Sequence, residues 1–217
     1  MTDSVTAPAD IVHRPAKLPL RVVVLASGQG TLLQSLLDLL DPAVVAIAAV
    51  GSDKNCPAIG RAREAGLPTF VVEFDDAARA DRGGWNRRLL AAVDAHEPDL
   101  VVSAGFMRIL GEEFIAAHPD GIVNTHPALL PSFPGAHAVP DALAHGVKVT
   151  GTTVHLVDAG VDTGPILAQR AVPVEDGDTA DTLHERIKTV ERRLLADVLT
   201  TIAEHGFTRN GRKASLS

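Results

Sequence analysis

Asn124 and His126 stand two residues apart in the segment GIVNTHPALLPSFPG, at the end of a short apolar run. In a strand that spacing projects both side chains to one face. An amide donor beside an imidazole that can carry charge near neutrality suits the stabilisation of an oxyanion, which is what acyl transfer requires. For an arbitrary Asn-x-His pair a core histidine and a turn asparagine would be the ordinary reading. The strand-end location and the prolines that follow favour chemistry, because prolines fix the chain as it leaves the strand. Further on, GTTVHLVDAGVDTGPIL supplies His155, Asp158 and Asp162. Asp162 precedes Thr163-Gly164-Pro165, a turn whose chemistry allows the carboxylate either to cap it or to be aimed into the site. A carboxylate near His126 would favour the protonated imidazole. His126, His137, His155 and Asp162 include residue types that bind zinc or iron, but their spacings match no metal motif, and no metal is expected.

A second chemical signal is the turn Gly28-Gln29-Gly30-Thr31, which lies between a predicted strand and a predicted helix. Free backbone N–H groups and the helix dipole favour an anion such as phosphate there. Position 33 is Leu33, so the third glycine of a dinucleotide fingerprint is missing, and there is no lysine of a nucleoside-triphosphate loop. Asp53 falls roughly where a dinucleotide fold carries its ribose-binding acid, which keeps NAD binding as a rival.

The elements that must position these groups alternate. Arg21–Ser27 is a β-branched run that suits a strand buried on both faces. Leu32, Leu33, Leu36, Leu37 and Leu40 follow at helical spacing, with Thr31 available as the N-cap. The alternation continues with a strand from Val44, a helix over Pro57–Ala65, a strand at Thr69–Val72 and a helix over Trp85–His96. Leu100–Ala104 and Ile122–Thr125 are further strands, separated by a helix beginning near Glu112. This is an α/β fold with a doubly wound, mostly parallel sheet, and such sheets bind ligands beyond the carboxyl ends of their strands. After Pro131 the pattern changes, and the segment LLPSFPGAHAVP reads as largely loop. Thr150–Val157 and Ile166–Pro173 read as an antiparallel extension, and Ala180–Glu204 as a long C-terminal helix. Residues 1–19 and 206–217 read as tails, the first of them disordered. Between them lies one domain, 20–205, in two halves, 20–110 with the glycine turn and 111–205 with the Asn124, His126 and Asp162 constellation.

Composition limits the classes of function. The apolar fraction of 46% over 217 residues is enough for one core. A formal net charge of -7, with no basic run interleaved with aromatics, gives no footprint for nucleic acid. No apolar run approaches the ~20 residues needed to span a bilayer. Cys56 is the sole cysteine, which fits a reducing compartment, and a cytoplasmic location is expected.

The blocks VVLASGQGTLLQSLLD, SAGFMRIL, NTHPALLPSFPG, GTTVHLVDAGVDTGPIL and RIKTVERRL, in this order, resemble the folate-dependent phosphoribosylglycinamide formyltransferases from about Leu20 to Val198. The resemblance implies a Rossmann-like formyltransferase fold that uses 10-formyltetrahydrofolate as co-substrate and glycinamide ribonucleotide as acceptor in purine synthesis. It implies phosphate contacts at Gly30, Thr31 and Leu32, folate contacts at Met107, Arg108, Ile109, Leu110 and Asn124, and an anionic folate tail at Arg82. Asn124, His126 and Asp162 fall on the catalytic positions, and Glu191 near the substrate amine. The chain departs from commoner members in having Thr31-Leu32 where Ser-Asn is frequent, and Val139 where a histidine often follows His137, so His137 is left out of the catalytic set. The family is compatible with a homodimer without requiring one. A 10-formyltetrahydrofolate hydrolase using the same residues on water is the nearest alternative. A methionyl-tRNA formyltransferase is less expected, since no basic C-terminal domain remains after the long helix to hold tRNA. A non-catalytic phosphate-binding module would leave Asn124, His126 and Asp162 without a role.

Overall fold

A computed structural model describes residues 11–216, and the chain enters it as an edge strand, β1 (Ile11–Arg14). Strands and helices then alternate: β2 (Leu20–Leu25), α1 (Thr31–Leu39), β3 (Val45–Ser52), α2 (Pro57–Glu64), β4 (Thr69–Val71), α3 (Asp76–Ala80), α4 (Arg82–Asp94), β5 (Leu100–Ser103), α5 (Glu112–Ala117) and β6 (Ile122–His126). The second part contains α6 (Ala138–Ala144), β7 (Val149–Leu156), β8 (Ile166–Pro173), α7 (Ala180–His205), β9 (Phe207–Asn210) and β10 (Lys213–Leu216).

The strands form one mixed sheet in the order β1-β9-β10-β8-β7-β6-β5-β2-β3-β4. From β4 through β6 the pairing is parallel, and β7 and β8 add antiparallel strands. The chain order reverses between β2 and β5, so a crevice opens beyond their carboxyl ends. The β-branched composition of β2 follows from burial on both faces. Val22 and Val24 pack with α1, α2 and α7 on one side, and Val23 and Leu25 with Trp85, Leu89 and Phe114 on the other.

Helix α7 closes the first of these faces. Its apolar stripe buries Leu183, Ile187, Leu194, Leu195, Val198, Leu199 and Ile202, each worth about 1.5–3 kcal/mol when fully removed from water. The Thr179 side chain caps its start by accepting from the Thr182 N–H, and Gly206 at φ 77° ends it. A Cβ at Gly206 would lie 2.1 Å from the Arg14 carbonyl oxygen, so only glycine fits this crossing.

Two expectations are corrected, the tails and the cap of α1, and one is sharpened, the largely loop segment after Pro131. The tails read over 1–19 and 206–217 hold β1, β9 and β10 where they are described; residues 1–10 and 217 lie outside the described part. β9 and β10 form a hairpin through Gly211-Arg212, and β1 pairs with β9, with the Arg14 guanidinium over the Phe207 ring. The segment read as loop after Pro131 contains the start of α6. Pro140 is accommodated there because it falls in the first turn, where the N–H that proline lacks would have had no intrahelical partner. The N-cap of α1 is Gly30, at φ 69° and ψ 26°, in place of Thr31, and no side chain caps the helix.

Candidate active site

The antiparallel register of β6 and β7 sets Asn124 opposite His155 and His126 opposite Thr153, so a polar row runs across one face of the sheet. Asn124 Nδ2 donates to His155 Nε2 at 3.3 Å, and His155 Nδ1 donates to the Leu156 carbonyl at 2.9 Å. The two bonds define one tautomer. Burial pushes the His155 imidazole below its ordinary pKa, against the opposing effects of the Leu156 bond and Asp162. A neutral ring that accepts from Asn124 leaves the second amide N–H of Asn124 free to point into the cavity it lines.

His126 is buried, and both of its ring nitrogens face oxygens. Nε2 donates to the Phe133 carbonyl at 2.7 Å, and Nδ1 lies 3.3 Å from Asp162 Oδ2. The same Asp162 oxygen accepts from the Gly135 N–H at 2.8 Å. Phe133 and Asp162 are both non-glycine residues at φ 54°, a left-handed conformation that costs on the order of 1–3 kcal/mol each. The strain is offset by the bonds that these two residues direct at His126 and Gly135. Behind this loop Thr153 Oγ1 donates to the Ala128 carbonyl at 2.7 Å and accepts from Leu130 N–H at 3.1 Å and Gln169 Nε2 at 2.9 Å. Sequence reasoning did not find Phe133, Thr153 or Gln169; the turn residues of PSFPG were the only signal for the first.

Glu191 projects from α7 near the Thr125 side chain. Burial raises its carboxyl pKa, opposed by Thr125, Arg192, Lys188 and His126. Asp158 instead caps its own turn, accepting from Gly160 N–H and Thr163 Oγ1. His137 stands exposed at the start of α6.

A cavity of about 310 Å³ opens beside Asn124, His155 and Asp162. Its other wall is Met107, Arg108, Ile109 and Leu110, with Val161 across from them. Met107 is 74%, Ile109 64% and Val161 54% exposed, an apolar surface that a ligand would remove from water. Arg82 Nη2 donates to the Ile109 carbonyl at 2.9 Å. Arg108 Nε donates to Asp53 Oδ2 at 2.6 Å, and the Asp53 side chain is only 1% exposed. Asp53 is therefore committed to an internal partner and is not presented to a ribose, which removes the NAD rival.

The glycine turn adjoins this cavity, because Ser27 N–H donates to the Gly105 carbonyl and Met107 N–H to Ser27 Oγ. Gly28, Gln29 and Thr31 are exposed, while Leu32 is buried in the core and offers only its backbone N–H. A Cβ at Gly30 would meet the Ala58 Cα at 2.7 Å, so the close approach of α1 and α2 adds to the demand of its positive φ. With no side-chain cap, the first N–H groups of α1 remain available to an anion.

Comparison with known proteins agrees on one family. The family model described as formyl transferase matches residues 20–199. A phosphoribosylglycinamide formyltransferase of Mycobacterium tuberculosis is 57% identical over 203 residues, covering 93% of this chain and 94% of the relative. The crystal structure of glycinamide ribonucleotide transformylase 1 from Symbiobacterium toebii superposes with a TM-score of 0.84 at 40% identity, over 91% of this chain and 93% of that one. A formyltetrahydrofolate deformylase from Pseudomonas syringae is also similar in fold, with a TM-score of 0.83 at 28% identity, but this chain covers only 66% of it.

Proposed function

The chain belongs to the formyl transferase family, and from that premise we propose that it transfers the formyl group of 10-formyltetrahydrofolate to the amine of glycinamide ribonucleotide in purine synthesis. The observation that carries the reading is one cavity with two unlike walls, apolar at 107–110 and polar at Asn124 and Asp162, beside an uncapped helix N-terminus. The apolar wall takes the folate ring, Arg82 its anionic tail, and the N–H groups of Gly30, Thr31 and Leu32 the ribonucleotide phosphate. Both reactants then meet at Asn124.

In this reading the neutral amine attacks the formyl carbon, and the formyl oxygen takes up negative charge. Asn124 donates its free amide N–H to that oxygen. The Phe133 carbonyl accepts from His126 Nε2, and the developing oxyanion takes its place there. Such a donor is worth about 3 kcal/mol of barrier. Asp162 orients the ring from Nδ1 and stabilises its charge, so that His126 can deliver a proton as the folate nitrogen leaves. The amine loses one proton as the C–N bond forms, and that proton returns through water to His126, replacing the one delivered to the folate nitrogen; Glu191 lies near enough to His126 to influence the transfer electrostatically. No step calls for a metal. The enzyme works on free small molecules in the cytoplasm, and the same reading allows a homodimer.

Hydrolysis of the donor uses the same three residues on water. Transfer is favoured by the higher identity to the transferases, 57% and 40%, against 28% to the deformylase, of whose length this chain covers 66%. The test supplies the metal-depleted protein with 10-formyltetrahydrofolate labelled in the formyl group, with and without glycinamide ribonucleotide. Label should appear in the formylated nucleotide and only when acceptor is present. Formate released at equal rate without acceptor would assign the hydrolase.

A further inference from the structure

We infer that Asp53 is a positioning residue for the apolar wall of the cavity, acting through Arg108; this rests on the folate reading of that wall. The segment that follows β5, residues 104–111, has no helical or strand ladder of its own. It nevertheless holds Met107 and Ile109 outward, where no protein packing fixes them. What fixes it is a set of contacts from separate elements. Met107 N–H donates to Ser27 after β2, the Ile109 carbonyl accepts from Arg82 at the start of α4, and Gly111 N–H donates to Asn86 within α4. Those three act on the backbone. Arg108, between the two outward residues, is held by its side chain, with Nε on Asp53 and the guanidinium 4.4 Å from the Phe74 ring centroid.

Asp53 has no evident purpose as a stabiliser. It follows β3, its carboxylate is buried, and Oδ1 has no hydrogen-bond partner among the described residues. A buried ion pair is commonly no more stabilising than apolar side chains of the same size, and an unpartnered oxygen makes it less so. The pair does restrict Arg108 to one place, and so restricts the wall on either side of it. The Phe74 N–H bonds the Asp53 carbonyl, so both faces of the clamp share one anchor. Arg108 has its charge met by a buried carboxylate and serves the wall, whereas Arg82 meets a neutral carbonyl, and the recognition of the donor's anionic tail falls to Arg82.

The sole tryptophan, Trp85, is buried against Phe74 and Phe106 with ring centroids 4.9 and 6.4 Å away, and its fluorescence reports on this region without turnover. The experiment titrates tetrahydrofolate into wild type, Asp53→Asn and Arg108→Lys, and measures KM for both substrates and kcat. In Asp53→Asn the tetrahydrofolate Kd and the donor KM should rise about tenfold, while kcat and the ribonucleotide KM stay within about twofold. Arg108→Lys, at a residue that itself lines the cavity, should raise the donor KM at least as far, and adding Asp53→Asn to it should raise the donor KM no further. If Asp53→Asn folds poorly, Asp53→Ser, which also releases Arg108, decides by the same readout. Unchanged donor affinity in a wild type that binds tetrahydrofolate would overturn the positioning role alone, as would a parallel loss of both KM values with a lowered Tm. A wild type that binds no tetrahydrofolate would overturn the folate reading and this inference with it.

Discussion

The polar wall and the apolar wall face one cavity but are held in opposite ways. Asn124 and His155, and His126 that contacts Asp162 without itself lining the cavity, sit on paired strands, and both histidines are nearly fully buried, so the sheet register and a closed set of hydrogen bonds fix them. Met107 and Ile109 sit on irregular backbone, stand in solvent, and are steadied only from behind. Groups that must meet a developing charge need fixed geometry before the substrate arrives, because reorganisation during the reaction raises the barrier. A surface that covers a flat apolar ring gains by removing area from water and tolerates a looser frame. The first wall should therefore govern rate and the second affinity.

Substitutions on the two walls separate these roles. The largest expected effect is His126→Ala, which should lower kcat by about 10²–10⁴ with both KM values little changed. Asn124→Ala should follow at about 10²–10³, read in the same steady-state assay. Truncating the other wall with Met107→Ala and Ile109→Ala together should raise the donor KM by about tenfold or more and leave kcat near wild type. The melting temperature should barely move, since both side chains are exposed in the free protein. A fall in kcat with unchanged donor KM would erase the distinction between the walls.

The smallest effect is on stability. Burial raises the Glu191 carboxyl above its unfolded value, so the folded state holds that proton more tightly. Its favourable contribution is complete below the ordinary carboxylate range, near pH ~4.3, and is lost as pH rises through the raised value. Gln cannot ionise, so Glu191→Gln should have nearly the wild-type Tm in acid and a higher Tm at neutral pH. A Tm difference independent of pH would remove burial as the cause.

Much of the polar wall was legible because regular structure encodes it. Asn124 and His126 reveal their common face through period-two spacing, and the leucines after Gly30 reveal a helix whose start is open. Val149–Leu156 and Ala180–His205 differ from the sequence reading by a residue at most at each end. The apolar wall was legible only by resemblance, since Met107 and Arg108 on their own read as core and surface. The Asp53–Arg108 pair spans 55 positions, and no local pattern predicts such a contact. The left-handed turns at Phe133 and Asp162 were equally hidden, because neither residue type asks for positive φ as glycine does. The hairpin of β9 and β10 did carry a signal, Asn210-Gly211, but its polar, alternating strands are short and gave too little apolar content to stand out.

Asp162→Asn tests the central claim most directly, because Asn keeps the size and a hydrogen-bonding oxygen for Gly135 while removing the charge that faces His126. The measurement is single-turnover formyl transfer with both substrates saturating, together with the Kd of each ligand. The account predicts a chemical step slower by about 10³-fold or more with both Kd values nearly unchanged. A chemical step near the wild-type rate would contradict it.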